Sequence, residues 1–202
     1  MDGWKYMTKN AAVVPFSPGT VVYQDGMLST LYYRSKELGR LEYMFCGDKP
    51  GHDQFIRMFD ESKRITQILC EVENQGTPQE VCHPAGCSWV ELSKGVDGER
   101  AAMCGFAFIK RSRYMVDLGM LGIAYWMEGL KIDVLHGVLL EENKAAQHFA
   151  ERLGFKKEGV VRRFHSYRGK LVSAVAMMIE KEFFLPGYEE WYESKKVVET
   201  VE

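Results

Sequence analysis

The sequence predicts one α/β (α+β) domain, a mixed sheet of about six to seven strands flanked by helices. Three observations carry this expectation. Apolar residues recur at helical spacing early in the chain, alternate at strand spacing through its middle, and then switch between the two periods towards the end. A length of 202 residues with 46% hydrophobic and 27% charged content suits an ordinary folded core. No repeat or low-complexity block interrupts the pattern. The chain is therefore read as a single domain over 1–202, with 1–19 an extension and 186–202 a tail outside the core.

The segment through Gly19 carries Pro15, Ser17 and Pro18 and is expected to wrap the surface before a short strand at Thr20 to Gln24. From Met27 to about Phe45, Leu28, Leu31, Tyr32, Leu38 and Leu41 recur at helical spacing, with Gly39 a break between two shorter helices. After a turn at Cys46 to Gly51, a helix from His52 to Ser62 buries Phe55, Ile56 and Phe59. Ile65 to Val72 alternates as a strand, and Gly76-Thr77-Pro78 turns the chain. Cys87 to Leu92 and Ala101 to Ile109 read as two strands joined by a hairpin loop. A helix from about Tyr114 to Glu128 places Met115, Leu118, Leu121, Gly122 and Tyr125 on one face. A strand from Ile132 to Leu140, a second helix, and paired strands Glu158 to Tyr167 and Leu171 to Glu182 follow, the pair turned at Arg168-Gly169-Lys170. Leu185-Pro186-Gly187 is expected to terminate the sheet and leave either a short docked helix or a loose tail.

The formal charge of -2 and a pI near 6.2 argue against a nucleic-acid partner. The small basic clusters Arg162-Arg163 and Lys110-Arg111-Ser112-Arg113 suit a phosphate-bearing small molecule better than a duplex. No apolar run is long enough for a membrane span, and the first residues lack the pattern of a secretion signal, so the expected location is the cytoplasm. Five cysteines, an odd number among apolar neighbours, fit reduced thiols. Cys82-His83-Pro84-Ala85-Gly86-Cys87 has metal-like spacing, but no second Cys/His pair completes a tetrahedral site, so no metal is expected. His83 is too close in sequence to Cys82 to establish a nucleophile and base pair.

The most informative segment is Asn143-Lys-Ala-Ala-Gln-His-Phe-Ala-Glu-Arg-Leu-Gly-Phe155. Asn143 is a plausible N-cap, Ala146, Phe149, Ala150 and Leu153 form a buried face, and Gly154 stops the helix. With Glu158-Gly159 behind it, the ordered set Asn143, Ala146, Leu153-Gly154-Phe155 resembles the second cofactor motif of the GNAT acyltransferase superfamily. The resemblance covers roughly Gln67 to Glu182 and is strongest from Phe106 to Gly159. Cys87-Ser88-Trp89-Val90, Phe106 to Arg111 and Asn143 to Phe155 look most like small GNAT proteins of tailed bacteriophages and prophages.

That resemblance implies a strongly curved sheet and an acyl-coenzyme A-dependent N-acyltransferase, using acetyl-CoA as co-substrate without a metal. The acceptor would be a small-molecule or protein amine. Oligomeric state is open, a homodimer among the options. Counting back from Asn143, the family's pyrophosphate loop falls on Lys110 to Met115, and Ile109, Lys110, Arg111, Ser112, Arg113 and Tyr114 are the expected cofactor-binding residues. Here the chain departs from the pattern, because the family glycines would stand near Arg111 and Arg113. Either the arginines and Ser112 replace backbone contacts to phosphate, or they are a solvated basic rim.

The resemblance also places Asn143 near the pantetheine arm and Ala146 and Phe149 along its cleft. Many relatives carry a tyrosine as general acid where this chain has Ala150, so that acid is absent. By position on strands, Glu91 and His165 are candidate bases and Tyr167 a candidate acid. A GNAT-like phage or prophage protein without catalysis, acting through protein contacts, is the alternative.

Overall fold

The computed structural model describes residues 6–15, 21–44, 49–60, 64–74, 80–95, 98–167 and 169–195. Strands β1 (Met7–Thr8) and β2 (Ala11–Pro15) precede helices α1 (Val21–Glu37), α2 (Leu41–Met44) and α3 (His52–Asp60). Then come β3 (Arg64–Glu73), β4 (Val81–Lys94), β5 (Arg100–Phe108) and α4 (Met115–Ala124), which runs on into a π-helical turn at Tyr125–Gly129. The chain continues through β6 (Val134–Leu140), α5 (Lys144–Arg152), β7 (Lys156–Tyr167), β8 (Lys170–Glu180) and α6 (Lys181–Lys195). The eight strands form one sheet in the order β1-β2-β3-β4-β5-β6-β8-β7. Only β5 and β6 pair in parallel, as a helical crossover between neighbouring strands requires.

One core lies between the sheet and α4, α5 and α6, and includes Leu118, Leu121, Trp126, Leu135, Leu153 and Met177. A second lies on the opposite face, where Leu28, Leu31, Tyr32, Leu41 and Phe55 of α1 to α3 cover Ile68, Cys70, Cys87 and Ala107.

The expected helix and strand order stands from α1 to β8, and four local differences have physical causes. The extension is part of the sheet: β2 pairs with β3 from Ala11 opposite Glu71 to Pro15 opposite Gln67, burying Ala11, Ala12 and Val13. Pro15 reads as loop punctuation, yet it ends the strand, where proline is tolerated. Val21 to Gln24 are helical rather than extended. The β-branched character of Val21 and Val22 is outweighed by the apolar stripe that follows at Leu28, Leu31 and Tyr32. Strand β4 begins at Val81, ahead of the expected start at Cys87, and Pro84 opposite Cys70 sits at the register shift between Leu69 and Cys70.

The fourth difference is at the C-terminal end. The sheet stops at Glu180, and α6 runs through Pro186 with Phe184 and Tyr188 buried in the first core, so residues 186–195 are not outside it. Proline at the sixth helical position forfeits one backbone bond, and the stacked rings of Phe184, Tyr188 and Tyr192 offset that loss. Phe45, the turn at Gly76 to Pro78, Arg168 and the chain beyond Lys195 lie outside the described residues.

Gly154 is where helix termination shapes the site. At φ 94 it closes α5 with N–H bonds from Gly154 to Glu151 and from Phe155 to Ala150, and Phe155 turns into the core. This is the paired-bond stop expected from a left-handed glycine at a helix end.

Candidate active site

Strands β5 and β6 are in register over only three pairs, Ala101 with Val134, Ala102 with Leu135 and Met103 with His136. Beyond Met103, β5 keeps its pairing with β4 as far as Phe108, while β6 keeps its pairing with β8 as far as Leu140. The two parallel strands therefore part and leave a gap that opens towards their C-terminal ends. Ile109 donates its N–H to Ala85 of β4, so by alternation the peptide groups of Phe106 and Phe108 face the gap, with no β6 partner.

An apolar slot of about 70 Å³ occupies the gap on the α5 side. Cys104, Gly105 and Phe106 line it from β5, Gly137 and Leu139 from β6, and Ala146, Phe149 and Ala150 from α5. Phe149 meets Phe106 and Phe108 edge to face at 5.7 and 5.4 Å, closing the slot with aromatic edges. Gly105 is required on the other side, because a Cβ there would lie 2.3 Å from the Trp89 ring. Asn143 caps α5, its Oδ1 accepting from the Ala146 N–H at 3.2 Å, which leaves its amide NH2 free to donate. Gln147 fixes the end of β6 by donating to the carbonyls of Leu140 and Glu141.

Ile109 to Tyr114 link β5 to α4 at the open end of the gap. Ile109 packs against the second core. No side chain caps α4, so the N–H groups of its first turn face outward, the arrangement that favours an anion. The side chains of the loop divide into two sets. Lys110 forms an ion pair with Glu71 of β3, while the Ser112 hydroxyl accepts from the Tyr114 N–H at 2.9 Å and also bonds Glu71. Burial opposes ionisation of Glu71, but these two donors outweigh it and hold its carboxyl below the usual range. Arg111 and Arg113 are exposed and line a cleft of about 1160 Å³ with Lys9, Glu71, Asp117 and Lys195. The Arg113 guanidinium lies 4.8 Å from the centre of the Tyr114 ring.

The structure separates the predicted acid and base residues. Glu91 lies opposite Met103, Met103 opposite His136, and His136 opposite Met178, so these four share one row and one face across β4, β5, β6 and β8. Two strand steps put Glu91 and His136 roughly 10 Å apart, on either side of Met103 at the closed end of the gap. His165 pairs with Val172, six residues along β8 from Met178, or roughly 20 Å away along the strands. Tyr167 is buried beside the β7–β8 turn. His165 and Tyr167 therefore cannot serve the same amine as Glu91.

Sequence reasoning missed His136 and Glu71. His136 carried a faint signal, as the one ionisable side chain within the otherwise apolar β6. Glu71 carried none, because only folding brings it to a loop 39 residues further on. In β4, Cys82 and Cys87 are drawn roughly 17 Å apart by the extended chain, too far to share an ion. Among the described residues no His, Cys, Asp and Glu group could hold a metal, and no helix is long and apolar enough to cross a membrane.

No family model matches the sequence, and no curated protein matches it either. Solved structures do. The chain is similar to spermidine N-acetyltransferase from Vibrio cholerae in complex with CoA and spermine, with TM-score 0.63, 14% identity, and coverage of 87% of this chain and 98% of that one. It is also similar to ribosomal-protein-S5-alanine acetyltransferase from Vibrio fischeri, with TM-score 0.65, 10% identity, and coverage of 88% and 97%. A third match, a probable acetyltransferase, has TM-score 0.61 and 16% identity over 87% of this chain and 95% of that one.

Proposed function

We propose that this chain, which has the GNAT acyltransferase fold, is an acyl-CoA-dependent N-acetyltransferase that moves the acetyl group directly from acetyl-CoA to an amine. The observation that carries the reading is the gap between β5 and β6, with the uncapped N-terminus of α4 at its open end and Glu91 and His136 flanking Met103 at its closed end. Pantetheine would lie in the apolar slot beside Phe149 and Ala146. The Asn143 amide NH2, which the cap does not use, would donate to it. Pyrophosphate would meet the first N–H groups of α4 and the guanidinium groups of Arg111 and Arg113.

In the reaction the amine nitrogen forms a bond to the thioester carbon, the carbon–sulfur bond breaks, and coenzyme A leaves as a thiolate. Developing charge on the carbonyl oxygen needs fixed donors, and the gap-facing N–H of Phe106 is such a donor. The amine's proton passes to Glu91 or His136, directly or through one water, and a proton from solvent neutralises the thiolate, since Ala150 offers none. One similar structure holds spermine and another is named for an alanine of a ribosomal protein, so the fold serves both small and protein amines.

A second reading, a GNAT-fold protein without catalysis that acts through protein contacts, rests on the size of the slot. A volume of about 70 Å³ is smaller than a pantetheine arm, so Phe149 has to swing aside before cofactor enters. Calorimetry with acetyl-CoA decides between the two. Binding followed by release of coenzyme A in a screen of amine acceptors supports the enzyme, and a folded chain that binds no acetyl-CoA supports the second reading.

A further inference from the structure

Arg40 lies outside every segment the sequence marks as functional, yet it reaches the root of the candidate cofactor loop. Its position is fixed locally. Gly39 ends α1 in the left-handed region at φ 62, with N–H bonds from Gly39 to Lys36 and from Arg40 to Ser35. These two bonds are the paired stop of a helix end, and they set the direction in which the chain leaves. Leu41 then anchors α2 in the second core beside Ala107 of β5. Arg40, held between two fixed points and half-buried, donates from Nη1 to the carbonyl oxygen of Phe108 across 68 residues of sequence.

The direction of that carbonyl matters. It belongs to the same trans peptide group as the Ile109 N–H, which points at Ala85 of β4, so the Phe108 oxygen points the opposite way, into the gap. With β6 gone from register, this oxygen has no strand partner, and Arg40 supplies the donor it needs. A guanidinium carries five N–H donors in a planar fork, and one is used here. That leaves four for another acceptor, beside an oxygen that faces the gap and one residue before the loop that carries Arg111 and Arg113.

We propose that Arg40 is a third phosphate-binding arginine of this site, fixing the loop's root through Phe108 and donating its remaining N–H groups to a phosphate oxygen of coenzyme A. The proposal rests on the reading that the gap and loop hold that cofactor. It also accounts for an α1–α2 corner that meets the end of β5 through an arginine. A lysine could satisfy the Phe108 oxygen or an anion, but its compact ammonium lacks the fork that serves both at once.

The test uses the full chain with two probes, coenzyme A and pantetheine, the latter sharing the arm but lacking every phosphate. Binding is followed by calorimetry for coenzyme A and by ligand-detected NMR for pantetheine, with thermal melting to confirm that each variant folds. Arg40→Met should weaken coenzyme A roughly tenfold, flatten its salt dependence and leave pantetheine unchanged, and Arg40→Lys should recover part of the loss. Equal weakening of both probes means that Arg40 only shapes the gap, which overturns the proposal. So does unchanged coenzyme A affinity in Arg40→Met. If the parent chain does not bind coenzyme A, the functional reading fails and takes this one with it, whereas a binding parent with indifferent variants removes Arg40 alone.

Discussion

Met103 and His136 form the last register pair of β5 and β6, and beyond them the two strands part. On the α5 side of the sheet the gap is apolar and closed by Phe149. On the other face, at its closed end, the pair carries a thioether and an imidazole, with Glu91 one strand further on. A thioester lying in the gap would thus have an apolar wall for its arm on one side and proton acceptors for an attacking amine on the other. The parting of the strands creates both environments, because residues alternate between the two faces of each strand.

His136→Gln keeps the shape of β6 and removes a proton acceptor. Turnover with a saturating amine should fall roughly a hundredfold or more, with the KM for acetyl-CoA unchanged. Glu91→Gln provides the comparison. If both substitutions leave the kcat and its pH profile intact, proton transfer runs through neither side chain.

Gly105→Ala tests the wall of the slot. The added methyl would stand 2.3 Å from the Trp89 ring, and the half-buried indole packs against the second core. Overpacking of this kind costs about 1–3 kcal/mol, which urea titration would show as a lower midpoint with an unchanged slope. Full stability in the variant would mean that Trp89 has room that the geometry does not show.

Arg111→Ala and Arg113→Ala should each weaken acetyl-CoA binding roughly tenfold, less at higher ionic strength because both side chains are exposed. Arg113→Lys should retain part of the affinity but fall short of the parent, since the flat guanidinium beside Tyr114 is replaced by a point charge. Titration at low and moderate salt checks this. Parent-like binding by both alanine variants would make the arginines a solvated rim.

Much of this architecture was legible in the chain because local pattern and tertiary role agree. The α5 segment is one case, where Asn143 caps and Gly154 stops the helix, each from a signal a few residues long, while the family resemblance set Phe149 along the cleft. What escaped reading depends on contacts distant in sequence. Val21 to Gln24 have strand-like side chains but join a helix whose packing begins at Leu28. β2 looks like a proline-bounded loop until β3 is present to pair with it. The site divides in the same way. Loop residues Ile109 to Tyr114 announce themselves as a basic cluster, whereas Glu71 and Arg40 reach that loop only through the fold.

Glu71 also links the loop to acid stability. Its carboxyl is held below the usual 4.5 by Lys110 and Ser112 against the opposing effect of burial, so the folded state binds this proton less readily than the unfolded chain. The stabilisation is therefore complete above pH 4.5 and is lost as the pH falls through the lower folded value. Glu71→Gln should cost about 0.5–1 kcal/mol at neutral pH, modest because the pair is partly exposed, and should flatten the stability profile below pH 4.5. Denaturant midpoints at pH 7 and pH 4 make the comparison. An equal loss at both would show that the carboxylate's charge is not what holds the loop.

Direct transfer without an acyl-enzyme is the last expectation, and the cysteines decide it. Cys104 lines the slot where a thioester would lie, so position alone would make it a candidate nucleophile. Burial pushes its thiol up to about 12, as it does for Cys70 and Cys87, and the thiolate at pH 7 would then be on the order of one part in a hundred thousand. Cys82 is exposed, but its thiol is also raised, by partial burial and then by the neighbouring Glu80 charge. Cys46 lies outside the described residues. A folded Cys104→Ser variant should keep its turnover, and intact-mass spectra of the parent with acetyl-CoA should show no added acetyl group. An acetyl adduct on Cys104 that disappears when an amine is added would replace direct attack with a two-step route.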